Sequence, residues 1–221
     1  LANTSDGKQF ESDWKNSYDG LPYFYLRLKD AAKWLQGSGS SFTPENPCDS
    51  IQYTMPYLWL LELKSTKGSS ISFNPEKPYE KPKNKKTNVM IKANQVKELM
   101  KAVQKEGVIA GLILNYRPRE TKKEKFDNET FFIHILDFVQ FAETSNKSSI
   151  NADDCRNIGV KVTGTKKVKN YKYDIKQFKD EAIIKCLKSG RLDVNYLGKL
   201  HTWVGLVQKS LEREYRQAID E

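Results

Sequence analysis

Cysteine and histidine are scarce in this 221-residue chain. Cys48, Cys155, Cys186, His134 and His201 are scattered singly, with no pair at metal-ligand spacing. A disulfide framework or a zinc ribbon needs such pairs, so both are excluded, and the cysteine usage fits a reducing cytosol. No apolar run approaches the roughly 20 residues that span a bilayer, and the first residues carry no signal-peptide pattern. There is no phosphate-cradling glycine loop and no internal repeat. The chain therefore reads as soluble and cytoplasmic with no membrane partner, long enough to bury the core of one domain.

Positive charge is what it has in excess. Lys and Arg number 37 against 28 Asp and Glu, a formal net charge of +9. Such a balance suits a polyanion, because each neutralised phosphate releases counterions, although many basic proteins bind none.

The most informative stretch is Leu58-Trp59-Leu60-Leu61-Glu62-Leu63-Lys64, bounded by Pro56 and by Ser65-Thr66-Lys67-Gly68. It reads as a buried strand. Residues two apart on a strand share a face, so Glu62 and Lys64 point the same way. If Ser50 to Thr54 is the partner strand and Met55-Pro56 the turn, Asp49 falls directly opposite Glu62. Opposed residues hold their Cβ atoms roughly 5 Å apart, where like charges repel. A divalent cation between them removes the conflict. Mg²⁺ fits because it takes oxygen ligands and often uses only one or two carboxylates. Lys64 beside it would stabilise charge on a reacting phosphate or help deprotonate water. The competing reading is a solvated salt bridge on a surface strand, with Asp49 merely opening a turn.

Asp49, twelve residues, then Glu62-Leu63-Lys64 resembles the Asp…Glu-x-Lys signature of the PD-(D/E)xK nuclease superfamily, and within it the RecU-type Holliday junction resolvases. The likeness continues through Ser65-Thr66, Ser72-Phe73, Asn94-Gln95-Val96, Gly107 to Tyr116, Phe131 to Phe141 and Lys147-Ser148-Ser149-Ile150. Two departures stand out. Pro75 to Asn88 is inserted before the helix that carries Gln95, and Pro47 occupies a place where the family often has a hydroxyl residue.

The resemblance implies a restriction-endonuclease-like α/β fold, a mixed sheet flanked by helices, here with a C-terminal helical extension. It implies Mg²⁺, replaceable by Mn²⁺, on Asp49 and Glu62. Lys64 would assist the attack of water on a phosphodiester, and Gln95, at a helix N-terminus, would order the site. Glu11 on the first helix is a further candidate, read equally well as an ordinary helix-flank carboxylate. The implied partner is branched DNA, a four-way junction, whose two-fold symmetry calls for a homodimer. Another PD-(D/E)xK endonuclease of restriction or repair type is the alternative, as is a non-catalytic DNA-binding protein on the same scaffold.

Around this centre, Gly7 to Tyr18 reads as a helix capped by Asp6, with Phe10, Trp14 and Tyr18 on one face. Pro22 to Leu28 reads as a strand and Asp30 to Gln36 as a short helix before a polar loop. Tyr23, Tyr25 and Trp34 fit core packing better than base stacking. Lys67 to Phe73 is expected to continue antiparallel structure. Pro75 to Asn88 holds three prolines and seven charged residues and is expected to be a mobile flap that buries little. Its Lys81, Lys83, Lys85 and Lys86 are DNA-binding candidates, as are Arg117 and Arg119. A helix is expected from a cap at Asn94 through Lys105, stopped near Gly107. Strands are expected over Val108 to Tyr116 and Thr130 to Phe141, with His134 a satisfied sheet residue. The nuclease core is expected to span 1–162. The remainder, 163–221, is read as a basic segment and two helices packed on the core or on a partner. The last helix carries Leu197, Leu200, Val204, Val207 and Leu211 at three-four spacing.

Overall fold

Two residues separate Thr54 from Tyr57, and the hairpin they close is the frame on which the rest is built. The computed structural model describes residues 3–28, 46–83, 88–122 and 124–220. The chain runs α1 (Asn3–Asn16), β1 (Phe24–Arg27), β2 (Ser50–Thr54), β3 (Tyr57–Thr66), β4 (Ser70–Ser72), α2 (Ala93–Ala102) and β5 (Val108–Tyr116). It continues with β6 (Arg119–Glu120), β7 (Lys125–Phe126), β8 (Glu129–His134), α3 (Ile135–Thr144), β9 (Ser149–Asn151), α4 (Ala152–Ile158) and β10 (Val160–Lys161). The hairpin β11 (Gly164–Lys166) and β12 (Tyr171–Tyr173) leads into α5 (Ile175–Lys188) and α6 (Tyr196–Asp220).

Six strands form one mixed sheet in the order β1-β2-β3-β5-β8-β10. Only β3 and β5 are parallel, because the chain between them crosses over through α2; the other neighbours are antiparallel. Central β5 is apolar along nearly its whole length, as a strand covered on both faces must be. Its Gly111 has a structural reason: a Cβ there would lie 2.3 Å from the Ile133 carbonyl.

Helices cover both faces. On one, α1 and α5 bury Phe10, Trp14 and Phe178 against Trp59 and Phe132, with Phe178 centred 5.5 Å from each of Trp14, Trp59 and Phe132. On the other, α2, α3 and α4 bury Val96, Leu99, Phe138 and Cys155 against Leu112, Leu114 and Ile133. This is the mixed α/β architecture expected from the sequence, a mixed sheet flanked by helices. Val162, Tyr173 and Phe178 share one core with Trp14 and Trp59, so the chain passes residue 162 without leaving that core.

Several local expectations are corrected. α1 begins at Asn3, which places Asp6 inside the helix and not at its cap. α2 begins at Ala93 with Lys92 at the cap, so Asn94 lies in the first turn. β4 pairs with β9 in a separate ribbon and does not extend the β3 hairpin. The strand expected to run to Phe141 stops at His134, whose Nδ1 accepts the Leu136 N–H (3.3 Å) and starts α3. His134 is thus a helix cap at a strand end, and its Nε2 has no hydrogen-bond partner. The 75–88 insertion is anchored at its start: Pro78 is buried, Asn74 Nδ2 holds the Lys77 and Glu80 carbonyls, and the Tyr79 hydroxyl donates to Glu143 (3.1 Å). The short helix expected over 30–36, and Trp34, lie outside the described residues.

Candidate active site

β2 is shorter than β3, and that difference creates the site. Their ladder stops at Ser50↔Leu61, whereas β3 stays paired with β5 as far as Thr66↔Tyr116. Glu62 to Thr66 therefore run on past the end of β2. Extending the register by one step puts Asp49 opposite Glu62, as the two-residue turn required. Asp49 is strapped to both neighbouring strands: its N–H donates to the Leu61 carbonyl (3.2 Å), and its carbonyl accepts from Leu28 (2.9 Å). Its Oδ2 accepts the Leu63 N–H at 2.8 Å. Because a strand residue's N–H and C=O leave on the same edge, the Leu63 carbonyl also opens toward Asp49.

Glu62 is 1% exposed. Its Oε1 accepts from the Lys64 ammonium at 2.5 Å and from Gln95 Nε2. Even so, burial pushes the Glu62 carboxyl up to about 8; Lys64 pulls it back and the nearby Asp49 raises it again. Gln95 is held in turn, its Oε1 accepting the Lys92 N–H (3.0 Å) at the entrance to α2. Cys48 lies beneath the pair. Burial, then the charges of Glu62 and Asp49, push its thiol up to about 12, so it is inert packing.

The donor set fits a hard divalent cation. Two carboxylates face one another, and burial raises the Glu62 carboxyl to about 8 despite Lys64, so a cation between the two would favour its charged form. Among the described residues no group of three or more His, Cys, Asp or Glu forms a protein cage. Mg²⁺ sites commonly rely on one or two carboxylates, with water and substrate oxygens filling the shell.

The fold thus brings together Asp49, Glu62, Lys64 and Gln95. Glu11 is engaged elsewhere, in an ion pair with Arg27 of β1. Both Glu11 and Asp49 act on the half-buried Tyr25, whose phenol is pushed up to about 12, mainly by burial. Arg27 escaped sequence reasoning, because an arginine in a short aromatic strand carries no motif. Ser65 was read only as part of the signature, yet its hydroxyl donates to Asn115 Oδ1 (2.8 Å) and accepts from Arg117 Nε (2.9 Å).

The proposed DNA contacts are dispersed. Lys81 and Lys83 are exposed, with Lys83 paired to Glu76 (2.9 Å). Lys85 and Lys86 lie outside the described residues. Arg117 is half-buried at the end of β5, and the Arg119 guanidinium stacks 3.9 Å over the Phe126 ring.

Sheet and site together define a mixed α/β chain in which Asp49, Glu62 and Lys64 meet where β3 outruns β2. No protein-family model matches the sequence. The chain is 30% identical over 193 residues to the SPbeta prophage-derived uncharacterized protein YotM of Bacillus subtilis (strain 168), covering 82% of this chain and 88% of that protein. It belongs to the YotM family. Among solved structures it is similar to Hjc of Archaeoglobus fulgidus, a Holliday junction resolvase from an archaeal hyperthermophile. That likeness covers 70% of this chain and 95% of the other, at 17% identity and a TM-score of 0.42. Among the described residues no helix is long and apolar enough to cross a membrane.

Proposed function

We propose that this protein is a metal-dependent DNA endonuclease that nicks branched DNA, with the four-way junction as its preferred substrate. The observation that carries the reading is the convergence of Asp49, Glu62, Lys64 and Gln95 at one strand end, with Glu62 buried. A divalent cation, Mg²⁺ or Mn²⁺, would be held by Asp49 and Glu62 and would supply Lewis-acid charge for phosphodiester hydrolysis.

The chain's own groups do the rest. The Leu63 N–H fixes the Asp49 carboxylate, and Gln95 fixes that of Glu62. Lys64 stands at the same carboxylate with its side chain 17% exposed, so an incoming phosphate can reach its ammonium. There it donates hydrogen bonds to phosphoryl oxygens as negative charge grows on them. Water adds to phosphorus, the P–O3′ bond breaks, and the products are a 5′-phosphate and a 3′-hydroxyl. Glu11, tied to Arg27, acts at most as a neighbour of this centre.

Two symmetric nicks need two copies of the site, so the working form is a homodimer. Two apolar surfaces favour that assembly. Phe24, Leu26, Tyr53 and Leu58 lie exposed on one face of β1–β3, and Leu197, Trp203, Val204 and Val207 are exposed on α6.

The test is cleavage of a labelled synthetic four-way junction and of a linear duplex, with Mg²⁺ or Mn²⁺. The native chain is expected to nick the junction, and Glu62→Ala to lose at least about 10²-fold in rate. Equal cutting of duplex and junction would remove the junction preference. Binding without cutting in either metal would overturn the endonuclease reading.

A further inference from the structure

Most described lysines that the fold places near an acid are paired with it: Lys64, Lys77, Lys101, Lys147 and Lys199 all lie within 3 Å of a carboxylate oxygen. The β11–β12 hairpin gathers several that are not. Lys166, Lys167, Lys169 and Lys172 are all exposed and make no ion pair among the described residues. Four such cations within seven residues, Lys166 to Lys172, repel one another, a cost that a polyanion partner would relieve.

The ribbon is also held in a fixed place. Asp13 of α1 accepts the Tyr171 N–H (3.1 Å), and the buried Ser17 hydroxyl accepts the Tyr173 N–H (2.9 Å). Asp13 is itself braced by Gln9 Nε2 (2.7 Å), so the acid nearest the ribbon's backbone serves to seat it. Gly164 lets the strands close, since a Cβ there would lie 2.9 Å from the Tyr173 ring.

The seat lies on the α1 side of the sheet, across β3 from Glu62 and Lys64. A small cleft of about 60 Å³ is lined by Gln9, Asn115, Arg117, Lys169 and Tyr171. Arg117 bonds Ser65, the residue after Lys64. A basic track therefore leads from Lys64, on one face of the β3 end, through Arg117 on the other, to Lys169 and the ribbon tip. Ser65 lies only about 10 Å along the strand from Glu62, so one length of nucleic-acid backbone can meet both.

We infer that the β11–β12 hairpin is a DNA-backbone clamp, binding the phosphates of the arm that flanks the scissile bond. It makes no base contact, because lysines on phosphate position a duplex without reading it. The clamp rests on the endonuclease reading for its purpose and not for its existence.

The experiment measures binding of a fluorescent four-way junction and of a linear duplex in EDTA across a salt series, where no cleavage occurs. K167A/K169A/K172A is expected to bind both at least about tenfold more weakly in 0.1 M salt. The slope of log K against log salt should fall by two to three, since each phosphate contact contributes about 0.9. K167R/K169R/K172R, which keeps the charges, is expected to retain the native slope. Unchanged affinity and slope in the alanine variant would overturn the clamp, as would loss of slope in the arginine variant. Cleavage by the native chain in Mg²⁺ is scored separately. A chain that never cuts but loses its slope in the alanine variant defeats the nuclease reading and keeps the clamp.

Discussion

Glu62 is the buried carboxyl at the centre of the proposed site. A buried carboxyl raised to about 8 binds a proton in the folded state across a range where the unfolded chain, near 4.5, has lost it. Its contribution to stability is therefore fully present below about 4.5 and is lost as pH rises through about 8. In EDTA, Glu62→Gln should be more stable than the native chain at pH 8.5 and not at pH 4.5, read as the midpoint of urea unfolding. A cation competes for the same carboxylate. Mg²⁺ should bind more tightly as pH rises toward 8 and release protons, measurable by calorimetry in two buffers of different ionisation enthalpy. In Glu62→Gln the proton release should vanish. If native binding shows no proton release at pH 7, Glu62 is not a ligand.

At the scale of elements, the instructive event is the change from β8 to α3 at His134. The ring accepts the Leu136 N–H, which requires an unprotonated Nδ1. Burial, the largest cause, lowers its pKa from 6.5 to about 4; Asp137 opposes the shift and Arg191 adds to it. The sign is opposite to that of Glu62. Stability is full above 6.5 and is lost as pH falls toward 4, by about 3 kcal/mol over the whole window. His134→Asn keeps a capping side chain without the titration. Its unfolding free energy should be flatter than the native one between pH 4 and 6.5, and an equal slope would locate the acid sensitivity elsewhere.

For the whole molecule the open question is assembly. Among the described residues, the start of α6 is moored to the core. Tyr196 stacks on Tyr57 (5.7 Å) and fills the space where Gly107 lacks a Cβ, while Lys199 pairs with Glu106 (2.7 Å). Beyond that, Trp203, Val204, Leu206 and Val207 remain exposed and form an apolar face. A second copy is the partner the proposed function requires. Light scattering should give a dimer mass, and V204D/V207D should give a monomer that still binds Mg²⁺ but no longer nicks two strands in concert. A native monomer at micromolar concentration, or a dimer unaffected by the double variant, removes α6 from the interface.

The pair at the heart of the site was legible in the sequence. A two-residue turn fixes the hairpin register, and counting outward puts Asp49 against Glu62 without any knowledge of the rest. The span of β5 was equally legible, because an apolar run that begins just after Gly107 is a local signal. Tertiary structure alone decided the remainder. The Ser65 hydroxyl meets Asn115 from 50 residues away, Glu11 turns to Arg27, and the lysine ribbon is seated on α1 by Asp13 and Ser17. Those outcomes follow from how strands pair and helices pack across a twisted sheet, and spacing along a chain encodes no such distance.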